Sequence, residues 1–313
     1  MNQPTVQDAL VFLQIHIDAA RNSTDDFNLF HDRNKWLRIQ GNPFGGPIAL
    51  GFQLECLIED QLRLYRQQHN EAELISGHGL KFSNYHFTFA SVVKPGEPIE
   101  VEIRKSQFKS DGIPQLSNRI SIRNQDGIVL TGHKKETQSP LFLANEDLSH
   151  LPDLRRVPDR SYIEGSGFFC KRKFMSTGNA KNFLSGSLAD QAAYFDELEE
   201  KVKFPETFPA ALLSCALLER AFKNKHDFEK EPMVYTSHKI SIDRELTATL
   251  KSNDVLHLLV NQPIEVMADR GLGGAGVTQY IHECFALLAN GAVLLRGEIA
   301  LAPLEAILNA TRN

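Results

Sequence analysis

Apolar residues recur every third or fourth position from Pro4 to about Arg21, with Ala9, Phe12, Leu13, Ile17 and Ala20 on one face, which predicts a helix. A second helical pattern runs from Pro47 to about Gln68. Phe52, Leu54, Leu57, Ile58, Leu62 and Leu64 surround most of its circumference, so it is expected deep in the core. Pro47 suits a first helical position, where no N–H is needed. The period then changes to two. Residues 85–93, 98–109, 117–125 and 127–136 alternate apolar with polar and are joined by the turn signals PGE, SDG and QDG. A helix laid on an antiparallel sheet is the simplest assembly.

Residues 137–160 lose this periodicity and carry Pro140, Pro152 and Pro158, the composition of a linker. Beyond them the order recurs. An apolar helix is predicted from Pro209, with Thr207 as its N-cap, followed by strands over 238–246, 254–267, 277–289 and 291–301. The chain reads as two copies of one α+β unit, residues 1–136 and 161–313, on either side of the linker 137–160.

Composition narrows the function classes. Of 313 residues, 42% are hydrophobic and 23% charged, ordinary for a globular protein with a buried core. A net charge of −5 with scattered Lys and Arg argues against nucleic acid as a partner. The N-terminus shows no cationic stretch or small-residue cleavage site of a secretion signal. The longest apolar runs are interrupted and too short to span a bilayer. Cys56, Cys170, Cys215 and Cys284 are widely spaced among apolar neighbours, as buried thiols in a reducing cytoplasm are. A cytoplasmic chain is expected, without membrane contact.

The densest polar chemistry lies just before the second helix, in STDDFNLFHDRNKWLRIQGNPFGGPIALGFQ (23–53). Acids, an amide and a histidine within a few residues, followed by N–H groups at a helix start, are what proton transfer on a carbonyl compound needs. The bland reading is a helix cap with a surface His31–Asp32 pair. Glu55, early on the second helix, is a weaker candidate acid; its ordinary role would be on a face turned to a partner subunit. G-x-G-x-x-G at Gly271, Gly273 and Gly276 fits the dinucleotide fingerprint, but strand-like sequence follows it where a helix is required. His86, His133, His238 and His282 stand singly in strand patterns, so no metal site is expected.

This stretch resembles the MaoC-like, (R)-specific enoyl-thioester hydratase family, whose signature reads roughly D-x-N-P-aliphatic-H followed by a G-hydrophobic-A-H-G helix start. Asp26, Asn28 and His31 keep the acid, amide and histidine at that spacing, and Phe44 to Gly51 matches the helix start. The family's Pro after the Asn is Leu29 here, and its helix-start His is Leu50. The resemblance implies a double hotdog fold, each long helix wrapped by an antiparallel sheet. It implies reversible conversion of trans-2-enoyl to (3R)-3-hydroxyacyl thioesters of CoA or acyl carrier protein, with Asp26 and His31 activating water. Asn28, Gly45, Gly46 and Gly51 would bind substrate, and no cofactor is needed. Fold analogy alone points to a homodimer. In the second copy, residues 181–213 run parallel to the site, with Ser187 expected at the acid's place and Ala192 near the histidine's, so that copy reads as degenerate. The competing readings are an acyl-thioesterase using Glu55 or Asp26, and a non-catalytic acyl-thioester binding protein.

Overall fold

The computed structural model describes residues 10–268 and 276–312. The chain opens with a two-residue strand, β1 (Leu10–Val11), before α1 (Gln14–Thr24). The first helix is therefore shorter than its periodicity predicts. Leu10 and Val11 instead pair with Ile99 and Pro98, and the carbonyl of Phe12 accepts from Gly96 N at 2.7 Å.

The long apolar helix α2 spans Gly51–Gln68, four residues later than Pro47 predicts. Two tertiary hydrogen bonds hold the preceding residues extended: Ile48 N donates to Phe30 O (2.9 Å) and Ala49 N to Val93 O (2.8 Å). A proline permits a helix start but cannot compel one when the neighbouring N–H groups have partners elsewhere. After α3 (Ala72–Gly77) come β2 (Phe82–Phe89), β3 (Pro98–Ile103), β4 (Gln107–Lys109), β5 (Gln115–Asn124) and β6 (Gly127–Thr137). Residues 138–160 then cross without strands. Leu148, Leu151, Leu154 and Val157 pack there on Phe168, Leu259 and Phe285 of the second half.

The second half begins with β7 (Ser161–Tyr162), β8 (Phe169–Phe174) and α4 (Thr177–Gly186), followed by the small hairpin β9 (Phe195–Asp196) and β10 (Lys201–Val202). Its apolar helix comes in two pieces, α5 (Thr207–Ala211) and α6 (Leu213–Lys223). Then follow β11 (Met233–Asp243), α7 (Arg244–Thr249), β12 (Val255–Val260), β13 (Ile264–Ala268), β14 (Val277–Leu288), β15 (Val293–Pro303) and α8 (Leu304–Arg312). Thr207 is the first helical residue rather than the N-cap. The N–H groups of Glu206 and Thr207 donate to the carboxylate of Glu59 on α2, at 2.8 and 2.9 Å. Helix starts carry such orphan donors, and here the other half of the chain satisfies them.

Among the described residues, thirteen strands make one antiparallel sheet, in the order β1-β3-β5-β6-β2-β11-β15-β14-β12-β8-β7 with β4 and β13 at its margins. The halves meet where β2 pairs β11, with Tyr85 opposite Ile240. The helices pack with the sheet in one core that includes Leu57 and Ile58 of α2, Phe183 of α4 and Leu213 of α6. Gly186 lets α1 and α4 cross closely, since a Cβ there would sit 2.7 Å from Ala20 N and from His16 O. The acids of α2 are buried against the second half, not turned outward. Glu55 meets His238, Glu59 meets α5, and Asp60 accepts from Asp190 N at 3.2 Å. The partner surface expected for Glu55 is the chain's own second copy. No helix among the described residues is long and apolar enough to cross a membrane.

Candidate functional site

The loop after α1 is shaped by its own short side chains. Asp25 takes a left-handed conformation (φ 54°) and turns the chain, so that Asp26 N donates back to Arg21 O at 2.9 Å. Two consecutive Asx turns follow, the habit of Asp and Asn in loops. Asp26 Oδ1 accepts from Asn28 N (2.9 Å), and Asn28 Oδ1 accepts from Phe30 N (3.2 Å). Phe30 anchors the turn Leu29–His31 by packing among Ile39, Ile48 and Leu304. Asp25 and Asp32 have cationic partners, Lys173 and Arg21 respectively. Asp26 is only 4% exposed and has no such ion pair among the described residues. The middle acid of the three is thus the one held out of water without a counter-ion.

His31 is equally buried, at 4% exposure, and its Nδ1 lies 2.8 Å from the carbonyl oxygen of Ile48. That carbonyl accepts a hydrogen bond, so Nδ1 carries the proton and Nε2 keeps its lone pair. The extended segment before α2 is what places Ile48 O there. Burial lowers the His31 pKa below 6.5, while the Asp26 carboxylate and the Ile48 carbonyl act the other way. The result at neutral pH is an uncharged imidazole with an open nitrogen, close enough to Asp26 to respond to its charge. Such a pair can bind and deprotonate water.

The glycines separate into two groups. Gly45 (φ 69°) and Gly46 form a turn before the extended segment and do not open the helix. Only Gly51 does. A Cβ on Gly51 would lie 2.9 Å from Phe89 Cζ, so a side chain there would have to push the Phe89 ring aside. Leu50, at the place of the family's histidine, is buried in the core.

The second half supplies residues that periodicity alone left as structural. Tyr235 stands beside the loop. Burial first, and then the Asp26 carboxylate, push its hydroxyl pKa up, so it stays protonated and pairs with Ser214 Oγ at 3.1 Å. His238 is 0% exposed; its Nδ1 lies 2.7 Å from Glu55 Oε1, and its Nε2 has no hydrogen-bond partner. Its ring stacks on Phe52 (4.4 Å between centroids) and meets Tyr235 edge-on (4.6 Å). A signal for it existed: His238 takes an inward position in the alternation HKISID, where an apolar residue belongs.

A groove of about 680 Å³ starts at Asn28, Phe30 and Tyr235 and continues between the end of α6 and strands β14 and β15. It joins the loop of one half to the walls of the other. Among the described residues, no three His, Cys, Asp or Glu side chains converge as metal ligands would. Residues 271–275 of the glycine-rich motif lie outside the described residues. The elements before and after them, β13 and β14, pair as antiparallel strands, so the βαβ setting of a dinucleotide site is absent there.

The counterpart loop in the second half is displaced from the expected register. Leu188 (φ 57°) repeats the left-handed turn of Asp25, and Ala189 N donates to Leu184 O as Asp26 N does to Arg21 O. Asp190 caps the next turn through Ala192 N, as Asn28 does through Phe30 N. By this pattern Ala189, not Ser187, matches Asp26, and Ala193, not Ala192, matches His31. The loop is one residue shorter, which shifts a reading made by spacing alone. Neither acid nor base stands in either register.

No family model and no curated protein matches the chain. Solved structures do. A putative MaoC domain protein dehydratase from Chloroflexus aurantiacus is similar over 95% of this chain and 93% of that one, with a TM-score of 0.57 at 12% identity. Rv0216, a conserved hypothetical protein from Mycobacterium tuberculosis with a double hotdog fold, is similar over 94% and 93%, with a TM-score of 0.54 at 14% identity. A MaoC-like dehydratase from Phytophthora capsici is similar over 94% of both chains, with a TM-score of 0.50 at 11% identity. The fold of this chain is a double hotdog, and solved structures sharing it include MaoC-like dehydratases.

Proposed function

Starting from a double hotdog with a buried acid and an open imidazole on one loop, we propose that the chain adds water reversibly to trans-2-enoyl thioesters. The products are (3R)-3-hydroxyacyl thioesters, carried on CoA or acyl carrier protein. The observation that carries this is the His31 geometry: Nδ1–H is committed to Ile48 O, which leaves Nε2 as the ring's acceptor, and the buried Asp26 carboxylate is near enough to act on the ring.

In the forward direction a water held between Asp26 and His31 loses a proton to His31 Nε2 as its oxygen bonds to C3. The C2=C3 π electrons move toward the thioester, building charge on the carbonyl oxygen, and the proton held by His31 Nε2 is then passed to C2 as that charge collapses, which restores the neutral ring. Helix α2 begins at Gly51, so its first N–H groups and positive dipole end are suited to receive that oxygen. Asn28 holds Asp26 and the turn in register, and Tyr235 limits water from the side of the second half. Each of these elements lowers the barrier only if the thioester lies with its carbonyl toward Gly51.

Incubation with a 2-enoyl-CoA, following enoyl absorbance and free thiol together, tests the reading. Loss of absorbance without thiol is expected. Asp26→Asn and His31→Ala should each abolish it while circular dichroism stays unchanged, and full activity in either variant defeats the site assignment. Thiol release would instead mark a thioesterase, and binding without turnover a non-catalytic acyl-thioester receptor.

A further inference from the structure

The groove's lining includes a cation that has no counter-ion among the described residues. Arg220, in the last turn of α6, is 8% exposed and lines the groove. Its Nε has no hydrogen-bond partner, and no carboxylate among the described residues comes within ion-pairing distance. The acids of this region do not pair with it. Glu219 faces Lys171 (3.4 Å) and Arg160 (3.0 Å), Glu283 accepts from Asn261, and Glu231 faces His226 at 3.7 Å. Nor does Arg220 cap its helix, since none of its side-chain nitrogens bonds a terminal carbonyl of α6.

A guanidinium does not shed its proton in a protein, and burying one unpaired is costly. The groove's other charges are of both signs, but its acids, Glu231 and the exposed Glu305, form no ion pair with Arg220. Lys225 and Lys230 line the same groove, and His282 beside Arg220 is held uncharged, its pKa lowered to about 4 by burial and then by Arg220 itself. Leu217, Met233 and Leu301 give the same groove an apolar wall. We propose that Arg220 receives an anionic oxygen group of the thioester bound in this groove. The group is either a carboxylate ending the acyl chain or a phosphate on the carrier arm. This rests on the acyl-thioester reading above and names the charge such a substrate carries.

Three saturated thioesters that cannot be hydrated separate the sources by calorimetry. Butyryl-pantetheine has no anion, succinyl-pantetheine has a carboxylate, and butyryl-CoA has phosphates. Arg220→Gln should weaken one of the two anionic ligands at least about tenfold, the scale of a charged hydrogen bond, and leave butyryl-pantetheine within about twofold. Loss with succinyl-pantetheine identifies the acyl tail; loss with butyryl-CoA identifies the carrier arm. Arg220→Lys should recover part of the affinity. Equal loss for all three ligands, or loss for none, overturns the proposal.

Thermal melting provides a second measurement. Free Arg220→Gln should melt no lower than the wild type, and millimolar succinate or inorganic phosphate should raise the wild-type Tm but not the variant's. A variant that melts lower, with a wild type indifferent to both anions, also overturns it. If the wild type binds no thioester yet responds to an anion only through Arg220, the acyl-thioester reading fails and the anion site stands.

Discussion

Glu55 and His238 form the contact that most directly ties the two halves together at the site, and their removal has calculable consequences. Glu55 is 1% exposed and belongs to the first half; His238 belongs to the second. Their Oε1–Nδ1 distance is 2.7 Å, and the ring is enclosed by Phe52, Tyr235 and Phe89, the last at 4.9 Å between centroids. Replacing Glu55 with Leu leaves an imidazole with neither nitrogen satisfied, a cost of about 1–3 kcal/mol. Replacing His238 with Leu leaves a buried carboxylate without its donor, a cost of about 3–5 kcal/mol. It also removes three aromatic contacts worth about 0.5–1.5 kcal/mol each. The second variant should therefore be the weaker protein, by about 2 kcal/mol or more.

The double variant puts apolar side chains on both sides of an apolar cage. Such replacements are often neutral, so its cost should fall at least about 2 kcal/mol below the sum of the single costs, within the range of couplings between touching residues. Urea unfolding at pH 7.5, followed by circular dichroism and by the single tryptophan Trp36, measures all three. Against a total stability of about 5–15 kcal/mol, the Glu55 variant stays folded, whereas the His238 variant, losing about 4.5–9.5 kcal/mol, is measured with stabilising osmolyte added equally to all the proteins. Strict additivity, or a Glu55 variant weaker than the His238 variant, would refute the reasoning.

Three further outcomes follow from the site. Gly51→Ala should lose about 1–2 kcal/mol, because overpacking against Phe89 outweighs the better helix propensity of alanine, and should lose hydration activity as well; Gly46→Ala, whose Cβ would meet nothing within 4 Å, should keep its Tm. The acid limb of the kcat/KM profile should have its midpoint below 6.5, since burial lowers the His31 pKa and the neutral ring is the active form; a midpoint above 6.5 removes His31 as the base. Asp32 titrates at about 2, because the N–H groups of Asn34 and Lys35 and the Arg21 guanidinium outweigh the opposing effect of its burial. A depressed carboxylate stabilises the fold above its ordinary 3.8 and loses that contribution as pH falls toward 2. Asp32→Asn should therefore flatten stability against pH in that window, and parallel curves for the two proteins would exclude the effect.

The strands were legible because alternation follows directly from which face of a sheet is buried. Residues 115–124 alternate as the sequence pattern requires, and the turn before Gly127 falls where QDG marks it. What sequence could not convey are contacts made across the halves. The start of α2 moved from Pro47 to Gly51 because Phe30 O and Val93 O, both distant in sequence, claim the N–H groups of Ile48 and Ala49. Likewise Thr207 gave up its expected capping role because Glu59, 148 positions away, fills it. Asp26 and His31 were visible as a local spacing, whereas His238 and Arg220 each stand alone in their segments. Their only trace is a polar side chain on an otherwise apolar face.

This asymmetry bears on why the second copy lacks an acid and a base. Two copies folded around one sheet create two loops and two junctions, yet a groove needs walls as well as chemistry. The first half contributes the loop from Asp26 to His31; the second contributes Tyr235 and the α6 wall with Arg220 to the groove, and His238 behind them. At the opposite junction the buried charges are mutually engaged. Glu206 accepts from Tyr85 Oη (2.8 Å) and Lys134 Nζ (3.0 Å), while Glu59 binds the start of α5. Groups so committed stabilise the joint between the halves, and no acid and imidazole stand there at the places of Asp26 and His31. The proposed chemistry therefore depends on one loop but on both halves, and neither copy by itself contains the site.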